Sequence, residues 1–456
     1  MSKRLFGTDG IRGTAGVFPL DPSVVTRVGA ALARTLLARS RPRPPRILIG
    51  RDTRESGDWI ERCISSGARR GGASCEAVGV IPTPGVALLT RTGGFDAGIM
   101  ISASHNPYRD NGIKIFSSSG YKLADADEAG IESAVLDGGD GLPSAEYSPA
   151  PPPAAPEGLL EQYAAFLRES LQPETSFAGL KVVMDCANGA ASVLGPQVFS
   201  QLGATVTTLF TTPDGRNINS GCGSLHPEGL ARTLAADGGD FGIAFDGDAD
   251  RCLFVAHDGR VADGDVLMYQ AAAHLKRHGR LSGDLVVSTV MSNLWLERGL
   301  TDLGVRLNRT QVGDKYVLEE MLRTGAVLGG EQSGHIIFSD RATTGDGILT
   351  ALRLTEVMRA SGETPAGWLS RVQAYPQVLL NVPVSRRPDL ESHPVIGDAA
   401  TRVRERLGSS GRLVLRYSGT EPLARVMIEA TDKEMVQALA DELAAVIRKE
   451  IGAPEA

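Results

Sequence analysis

The chain has 456 residues, 42% of them hydrophobic and 22% charged, which is the composition of a folded globular protein rather than a disordered one. A net charge of −7 and only 5% aromatic residues argue against a protein that binds nucleic acid. The opening MSKRLFGTDG has no apolar core, and no apolar run approaches the ~18 residues of a membrane span, so we expect neither a signal peptide nor a membrane partner. Five scattered cysteines without a C-x-x-C motif favour a reduced, cytoplasmic setting.

Buried strands and helices alternate through most of the chain. The segments ILIGRDTRESG, VVMDCANGAAS and VVSTVMSNLWL each run from an apolar strand through a polar loop into a helix, which indicates three related α/β layers. Functional loops are then expected at the carboxyl ends of the strands. The pattern predicts, in chain order, a helix over 21–40, a strand over 46–50, a helix from Ser56, a strand over 97–102, a helix over 157–171, a strand over 180–185, a helix over 191–202, strands over 204–209 and 241–245, a helix over 263–277, a strand over 284–290, a helix over 292–303, a strand over 305–309 and a helix over 314–323.

The last part of the chain has a different pattern from about Ala374 onward. Strands over 378–384, 412–417 and 424–430, with helices over 396–407 and 433–450, indicate a smaller α+β domain. A linker rich in Gly and Pro lies between Asp137 and Pro156, and a hinge is expected near 371–376. At about 150 residues per domain the length suggests about three domains, but the pattern predicts four. The predicted domains cover residues 1–150, 157–256, 257–371 and 374–456.

An acidic motif, DGDADR, follows the predicted strand over 241–245. Asp246, Asp248 and Asp250 alternate along the chain, and such carboxylates repel one another unless a cation lies among them. Oxygen ligands alone suit a hard ion such as Mg²⁺. An EF-hand is excluded because Arg251 and His257 occupy the sixth and twelfth positions. The alternative, a solvated acidic turn, is disfavoured by the apolar flanks FGIAF and CLFV.

A second motif, ISASHNP, places the hydroxyl of Ser104 in a loop after a predicted strand, followed by the segment DNGIK. Ser104 beside His105 could suggest a hydrolase, but neighbours in sequence seldom face each other and G-x-S-x-G is absent. Taken alone, Ser104 is more typical of a turn residue than of a catalytic one.

Two further motifs carry groups suited to a phosphorylated sugar. In GEQSGH, Glu331 and Ser333 point the same way from an extended segment and suit sugar hydroxyls or an amine, although a polar surface turn is an equal alternative. In RYSGTEPLAR, hydroxyls, backbone N–H groups and two guanidinium groups suit a phosphate dianion, the alternative being a glycine turn with solvated arginines. The predicted phosphate-binding residues are Arg416, Ser418, Gly419, Thr420 and Arg425.

Together and in this order, the four motifs resemble those of the α-D-phosphohexomutase superfamily, over the stretch from Phe6 to about Arg425. The resemblance implies a four-domain enzyme, with its domains around a central cleft, that moves phosphate between O6 and O1 of a sugar. It implies that Ser104 is the phosphorylated residue and that its phosphate and the three aspartates hold one Mg²⁺. It also implies that Glu331 and Ser333 contact the sugar and that the 416–425 loop binds the phosphate that is not transferred.

The same resemblance implies roles for the basic residues. Lys114 is the first candidate for proton transfer and His335 the second, while His105 supports the loop. Arg12, Arg251 and Lys114 offset the negative charge of the metal site. Ser102 is a possible weak substitute acceptor in the absence of Ser104.

Three segments resemble one branch of the superfamily, the branch that acts on glucosamine phosphates. These are FGTDGIRG, VGDKYV over 312–317 and GEQSGH, in which Gln332 stands where other branches usually have Met. The expected reaction interconverts glucosamine 6-phosphate and glucosamine 1-phosphate, with glucosamine or glucose 1,6-bisphosphate as activating intermediate, and feeds UDP-N-acetylglucosamine and cell-wall precursor synthesis. The family also suggests a homodimer. Gln311 departs from the usual Lys, so either a basic contact is missing there or Lys315 or Arg309 supplies it.

Other functions remain open at this point. Within the same class of enzyme, glucose or mannose phosphate is the alternative substrate. A phosphoserine beside a metal also suits a metal-dependent sugar phosphatase. A non-catalytic module that binds phosphosugars is disfavoured, because binding alone needs neither Ser104 nor the three aspartates.

Overall fold

The computed structural model describes residues 5–39, 43–137, 150–418 and 422–453. Their strands form four sheets. The chain divides into two compact units, one of Met1–Thr289 with Val305–Arg371 and one of Val290–Gly304 with Val372–Ala456. The division after Arg371 falls at the segment where we predict a hinge, and the hinge itself stays a prediction. No helix in the described part of the chain is both long and apolar enough for a membrane span.

The first sheet has five strands in the order β1-β5-β4-β2-β3. The strands β3, β2 and β4 are parallel, and β5 and β1 extend the sheet in antiparallel pairs. The first helix begins at Pro22, as predicted. Asp21 caps it, because its carboxylate accepts hydrogen bonds from the backbone N–H groups of Ser23 and Val24. The elements are β1 Ile11–Thr14, α1 Pro22–Leu37, β2 Arg46–Arg51, α2 Gly57–Arg70, β3 Ser74–Val80, α3 Thr83–Thr92, β4 Ala97–Ile101, β5 Asp110–Ser117 and α4 Asp125–Leu136.

The second sheet repeats this plan with the order β10-β9-β8-β6-β7. All five residues of its central strand β8 are buried, as the apolar run FGIAF predicts. The elements are α5 Leu159–Glu169, β6 Lys181–Asp185, α6 Leu194–Gln201, β7 Thr205–Leu209, α7 Glu228–Asp237, β8 Phe241–Phe245, β9 Cys252–Ala256 and β10 Val261–Ala262.

The third sheet has the order β12-β11-β13-β14, in which β14 alone is antiparallel. The carboxylate of Asp263 caps the helix that precedes this sheet, and that of Asp346 caps the helix that follows it. The elements are α8 Gly264–Arg277, β11 Leu285–Thr289, α9 Leu294–Asp302, β12 Arg306–Thr310, α10 Asp314–Thr324, β13 Leu328–Gly330, β14 Ile336–Phe338, α11 Gly347–Ser361 and α12 Pro365–Leu369.

The fourth sheet lies in the second compact unit and is fully antiparallel, in the order β15-β17-β16. Its two helices cover an apolar core that includes Val426, Ile428 and Leu443. The elements are β15 Gln377–Pro383, α13 Pro394–Leu407, β16 Gly411–Tyr417, β17 Leu423–Ala430 and α14 Lys433–Ile451.

The structure contains elements that we did not predict from the sequence, among them β1, β3, β5 and β9 and the helices α3, α4, α7 and α11. The segment DNGIK, for which we predict no element, begins strand β5, whose residues from Asn111 to Phe116 are buried. The first helix ends at Leu37 rather than near Ser40. Most of the predicted linker, residues 138–149, lies outside the described residues, while Pro153 and Ala155 hydrogen-bond to Ala77 of β3.

Candidate active site

Two of the predicted motifs meet in the first compact unit. Ser104 follows the buried strand β4, Asp246 follows the buried strand β8, and the Ser104 hydroxyl donates to Oδ2 of Asp246 over 2.5 Å. The same hydroxyl lies 3.2 Å from Nδ1 of His105. Our expectation that these sequence neighbours do not face each other is therefore wrong. Burial, followed by the positive charges of Arg251 and Arg12, lowers the pKa of His105 to about 4, which keeps the imidazole neutral.

The three aspartates of DGDADR form a compact buried cluster. One carboxylate oxygen from each of Asp246, Asp248 and Asp250 lies within 4.8 Å of the others. Burial and the neighbouring carboxylates raise the pKa of Asp246 well above its usual value. Burial would also raise the pKa of Asp250, but Lys114 and His335 lower it well below its usual value. The solvated acidic turn is thereby excluded.

This cluster fits a hard divalent cation. Oδ1 of Asp248 is buried and has no hydrogen-bond partner among the residues the structure describes. A buried carboxylate oxygen without a partner is costly unless a cation coordinates it. The donor set consists of oxygen atoms only, which is the chemistry that Mg²⁺ prefers. Asp246, Asp248, Asp250 and an oxygen carried by Ser104 are thus suited to hold such an ion.

The cluster is held in place by the first domain. Thr83, at the start of α3, donates its hydroxyl to Oδ2 of Asp248 over 2.5 Å and its backbone N–H to the Asp248 carbonyl over 3.0 Å. Gly247 packs so closely that a Cβ there would lie 2.6 Å from the Ser104 carbonyl oxygen. The motif therefore requires glycine between its first two aspartates, because any side chain would separate the two loops.

Lys114 lies within the cluster. Its Nζ is 2.9 Å from Oδ2 of Asp248, 3.1 Å from Oδ2 of Asp250 and 3.4 Å from Asp9. Burial would lower the pKa of Lys114, but these carboxylates raise it well above its usual value. In this arrangement the amine is protonated, and its positive charge offsets part of the negative charge of the aspartates.

Arg251 and His335 approach the cluster from the other side. Nε of Arg251 lies 3.9 Å from Oδ1 of Asp250, and its backbone N–H donates to Asp246. The backbone N–H of Gly345 donates to Nε2 of His335, whose Nδ1 lies 3.5 Å from Asp250. Burial would lower the pKa of His335, but the charge of Asp250 raises it. Both predicted residues are therefore in the site.

The GEQSGH loop lies against the second sheet and the start of α8. Glu331 accepts a hydrogen bond from the backbone N–H of Gly313 over 3.0 Å. Oγ of Ser333 is buried with no hydrogen-bond partner in the described part of the chain. The side chain of Gln332 donates to Oδ2 of Asp263, the N-cap of α8, so this residue supports the loop. Glu331 and Ser333 remain the groups suited to a sugar.

Arg12 forms an ion pair with Asp9 of the FGTDGIRG segment. Burial would lower the pKa of Arg12, but Asp9 and, less strongly, Asp248 and Asp250 raise it. Asp9 also contacts the ammonium of Lys122, which in turn lies 2.5 Å from Oδ2 of Asp314. Asp9 lies in FGTDGIRG and Asp314 in VGDKYV, but their contacts with Lys122 were not predicted, because the three residues are far apart in sequence.

The segment around Gln311 gives each of the two nearby basic residues a partner. Lys315 contacts Asp125 of α4. A guanidinium nitrogen of Arg309 donates to the carbonyl of Thr289, at the carboxyl end of β11, over 3.3 Å. The Arg309 side chain therefore lies at the carboxyl end of β11, which is the kind of position where we expect functional loops.

Part of the predicted phosphate-binding loop is described, within the second compact unit. Arg416 and Arg425 are directly opposite each other in the antiparallel pair β16–β17, and burial together with Arg425 lowers the pKa of Arg416. Like charges in such positions repel, so an anion between them would be favourable. Ser418 is buried, and its N–H donates to the carbonyl of Leu423. Gly419 and Thr420 lie outside the described residues.

Four family profiles match successive parts of the chain. Profiles described as phosphoglucomutase/phosphomannomutase match residues 3–140 (alpha/beta/alpha domain I), 161–259 (domain II), 263–375 (domain III) and 379–446 (C-terminal domain). The phosphoglucosamine mutase of Solibacter usitatus is 49% identical over 453 residues, which cover 99% of this chain and all of the relative.

Solved structures share the fold. A phosphoglucomutase/phosphomannomutase family protein from Burkholderia thailandensis superimposes with a TM-score of 0.79 at 24% identity, covering 99% of this chain and 100% of the other. Aspergillus fumigatus N-acetylphosphoglucosamine mutase, in complex with GlcNAc-6P and magnesium, gives a TM-score of 0.64 at 18% identity, with 98% and 96% of the two chains covered. These matches confirm the predicted fold class, with three α/β domains and a different C-terminal one.

Proposed function

This chain belongs to the phosphoglucomutase/phosphomannomutase family, and we propose that it is an isomerase that interconverts glucosamine 6-phosphate and glucosamine 1-phosphate. The observation that carries the proposal is the Ser104 hydroxyl, which faces a buried cluster of three carboxylates beside the ammonium of Lys114. A protein that only binds sugar phosphates needs no such arrangement. The choice of sugar follows the relative that is 49% identical over its full length.

We propose that one Mg²⁺ per chain is held by Asp246, Asp248, Asp250 and an oxygen of the phosphate on Ser104. When bound, the ion neutralises charge on the transferring phosphoryl group. Magnesium in the Aspergillus relative of the same fold supports this assignment. The charge balance supports it too, since three carboxylates and a phosphoserine of about −2 would total about −5 without a cation.

The residues then act as follows. Phosphorylated Ser104 gives its phosphoryl group to O1 of glucosamine 6-phosphate, so that the bond to Oγ breaks as the bond to O1 forms. Lys114 and Arg251 offset the charge that develops on the phosphoryl oxygens. Oγ takes up a proton from a neighbouring acid, and a base accepts the proton of O1. Lys114 and His335 both adjoin Asp250 and are the candidates for these two transfers.

The second half of the reaction uses the same groups. The sugar 1,6-bisphosphate turns, and its 6-phosphoryl group returns to Ser104, which leaves glucosamine 1-phosphate. We assign Glu331 and Ser333 to the sugar, and Arg416, Ser418, Gly419, Thr420 and Arg425 to the phosphate that is not transferred. Glucosamine or glucose 1,6-bisphosphate would restore an enzyme that has lost its phosphate. We also propose that the Ser104 loop, the DGDADR loop, the GEQSGH loop and the 416–425 loop each belong to one of the four predicted domains, 1–150, 157–256, 257–371 and 374–456 respectively.

The test is a coupled assay of the phosphorylated enzyme with the 6-phosphates of glucosamine, glucose and mannose. We expect glucosamine 6-phosphate to give the highest kcat/KM. A preference for glucose or mannose would contradict the substrate, though not the reaction. Phosphate labelled on Ser104 should appear on the sugar; label released into water would identify a phosphatase instead. Light scattering of the same preparation tests the expected homodimer.

A further inference from the structure

The loop that carries Ser104 is held by a side chain that the proposed mechanism does not use. Arg54 follows β2, in the segment GRDTRESG, and is completely buried with its neighbour Asp52. Its Nε donates to Oδ2 of Asp52 over 2.8 Å, and its backbone N–H donates to Oδ1. A guanidinium group buried this deeply would be unfavourable unless its remaining donors were also satisfied.

Those remaining donors are all directed at one loop. Each terminal nitrogen of Arg54 makes two hydrogen bonds to backbone carbonyl groups of the Ser104 loop, so that all five N–H groups of the guanidinium are used. The accepting carbonyls are those of Ser104 and Asn106 at 2.9 Å, Pro107 at 2.5 Å and Asp110 at 3.0 Å.

A second side chain, from the segment between β7 and α7, reaches the same carbonyls. Nδ2 of Asn219 donates to the carbonyl of Ser104 over 2.9 Å and to that of Asn106 over 3.0 Å. The Ser104 and Asn106 carbonyls thus each accept from both Arg54 and Asn219. Such doubled acceptance fixes the direction of each carbonyl, and with it the planes of the Ser104–His105 and Asn106–Pro107 peptides.

The loop needs this support because its backbone is strained. Ser104 has φ of +52°, in the left-handed region that side chains other than glycine seldom adopt. With that φ the Ser104 hydroxyl is directed at Asp246. The backbone N–H of Ser104 donates to the hydroxyl oxygen of Ser102 over 2.9 Å, and that hydroxyl donates to Oδ2 of Asp52 over 2.6 Å. Ser102 is therefore part of the support and is not free as a substitute acceptor.

We propose that Arg54, assisted by Asn219, is a positioning residue that holds Ser104 in its left-handed conformation, so that Oγ stays in line for phosphoryl transfer. Arg54 touches neither the aspartate cluster nor the GEQSGH loop through any hydrogen bond found in the described residues. Its loss should therefore slow the chemical step far more than it weakens the binding of the sugar or of Mg²⁺, because the three aspartates and the GEQSGH loop keep their own hydrogen bonds. The kinetic part of this inference rests on the proposed function.

The test compares Arg54→Lys and Asn219→Ala with the wild type. Lysine keeps the charge but has three donors on one atom, so it cannot hold four carbonyls. The matched control is Arg353→Lys, since Arg353 is also a buried arginine, paired with both oxygens of Asp340 away from this loop. Should Arg54→Lys fail to fold, Asn219→Ala, which removes a neutral and less buried side chain, carries the test.

We expect kcat to fall about 10- to 100-fold for Arg54→Lys and about 3- to 10-fold for Asn219→Ala, as small displacements of reacting groups do. KM for the sugar phosphate and the affinity for Mg²⁺ should stay within about twofold of wild type, as should kcat of Arg353→Lys. Wild-type kcat in both folded test variants would overturn the proposal. The proposal would also be overturned if kcat and the affinity for Mg²⁺ both fell while KM rose to a similar extent, because such a pattern would indicate a general structural role.

A second readout does not depend on the sugar. Amide hydrogen exchange over residues 104–110 should become faster in Arg54→Lys, while exchange over the DGDADR loop stays unchanged. If the wild type acted on none of the three sugar phosphates, the proposed function would fail, yet this exchange would still test the positioning claim. Unchanged exchange over 104–110 in a folded Arg54→Lys would refute it.

Discussion

Nζ of Lys122 lies 2.5 Å from Oδ2 of Asp314, and this contact joins the first sheet to the start of α10 near the third. The same ammonium contacts Asp9, which contacts Lys114. The residue before Asp314 is Gly313, whose N–H orients Glu331. Through Lys122, a chain of contacts thus leads from Glu331 of the GEQSGH loop to Lys114 in the aspartate cluster.

Replacing Lys122 by methionine should lower the free energy of unfolding by about 2–3 kcal/mol, because two largely buried carboxylates lose their shared partner. Urea unfolding measures the change. Lys315→Met is the control: its partner Asp125 is 60% exposed, so the loss there should stay below about 1 kcal/mol. Equal losses in the two variants would mean that the Lys122 bridge contributes no more than a surface pair.

Ser104→Ala should lower kcat by at least about 1,000-fold, because no other oxygen can replace Oγ of Ser104 as the carrier of the phosphoryl group. Ser102 does not rescue it, because its hydroxyl is buried and bonded to Asp52. The measurement is transfer of labelled phosphate from a sugar 1,6-bisphosphate to the protein, which should be absent from the variant. Label on Ser104→Ala at the wild-type level would contradict the assignment of the carrier.

Asp248→Asn should reduce the affinity for Mg²⁺ by at least about 100-fold, because the amide removes a charge and the unpartnered oxygen of the cluster is no longer anionic. Titration calorimetry on the wild type and the variant gives the two affinities. Asp258→Asn, an exposed aspartate of the same domain paired with Arg260, should bind the ion as the wild type does. Activity of the wild type should vanish with a chelator and return with added Mg²⁺.

Ser333→Ala should raise KM for the sugar phosphate about 10-fold and leave the protein as stable as before. The buried hydroxyl oxygen has no hydrogen-bond partner among the described side chains and backbone groups, so its removal costs the free protein nothing in hydrogen bonding. Steady-state kinetics and thermal unfolding test the two halves. An unchanged KM would remove Ser333 from the sugar site.

The features that the sequence predicted are those that local patterns encode. Apolar runs marked the central strands, such as 97–102 and 241–245, and alternating carboxylates marked the metal cluster. The roles of Arg54 and Asn219 were missed because their partners are distant in sequence: Arg54 holds a carbonyl 50 residues away, and Asn219 one that is 115 residues away. No spacing in the chain reveals such contacts. Strand β5 was missed because its first residues, Asp110 and Asn111, are typical of a turn.

The close packing of Gly247 on the Ser104 carbonyl has a consequence for exchanging parts between relatives. The two loops differ in domain, yet the surface of one is shaped by the backbone of the other, and Asn219 crosses between them. A chimera that took only its first domain from a relative would combine a Ser104 loop and a DGDADR loop that had not been selected together. A transplanted Ser104 loop is therefore expected to keep its geometry only when the DGDADR loop of the same relative is transferred with it.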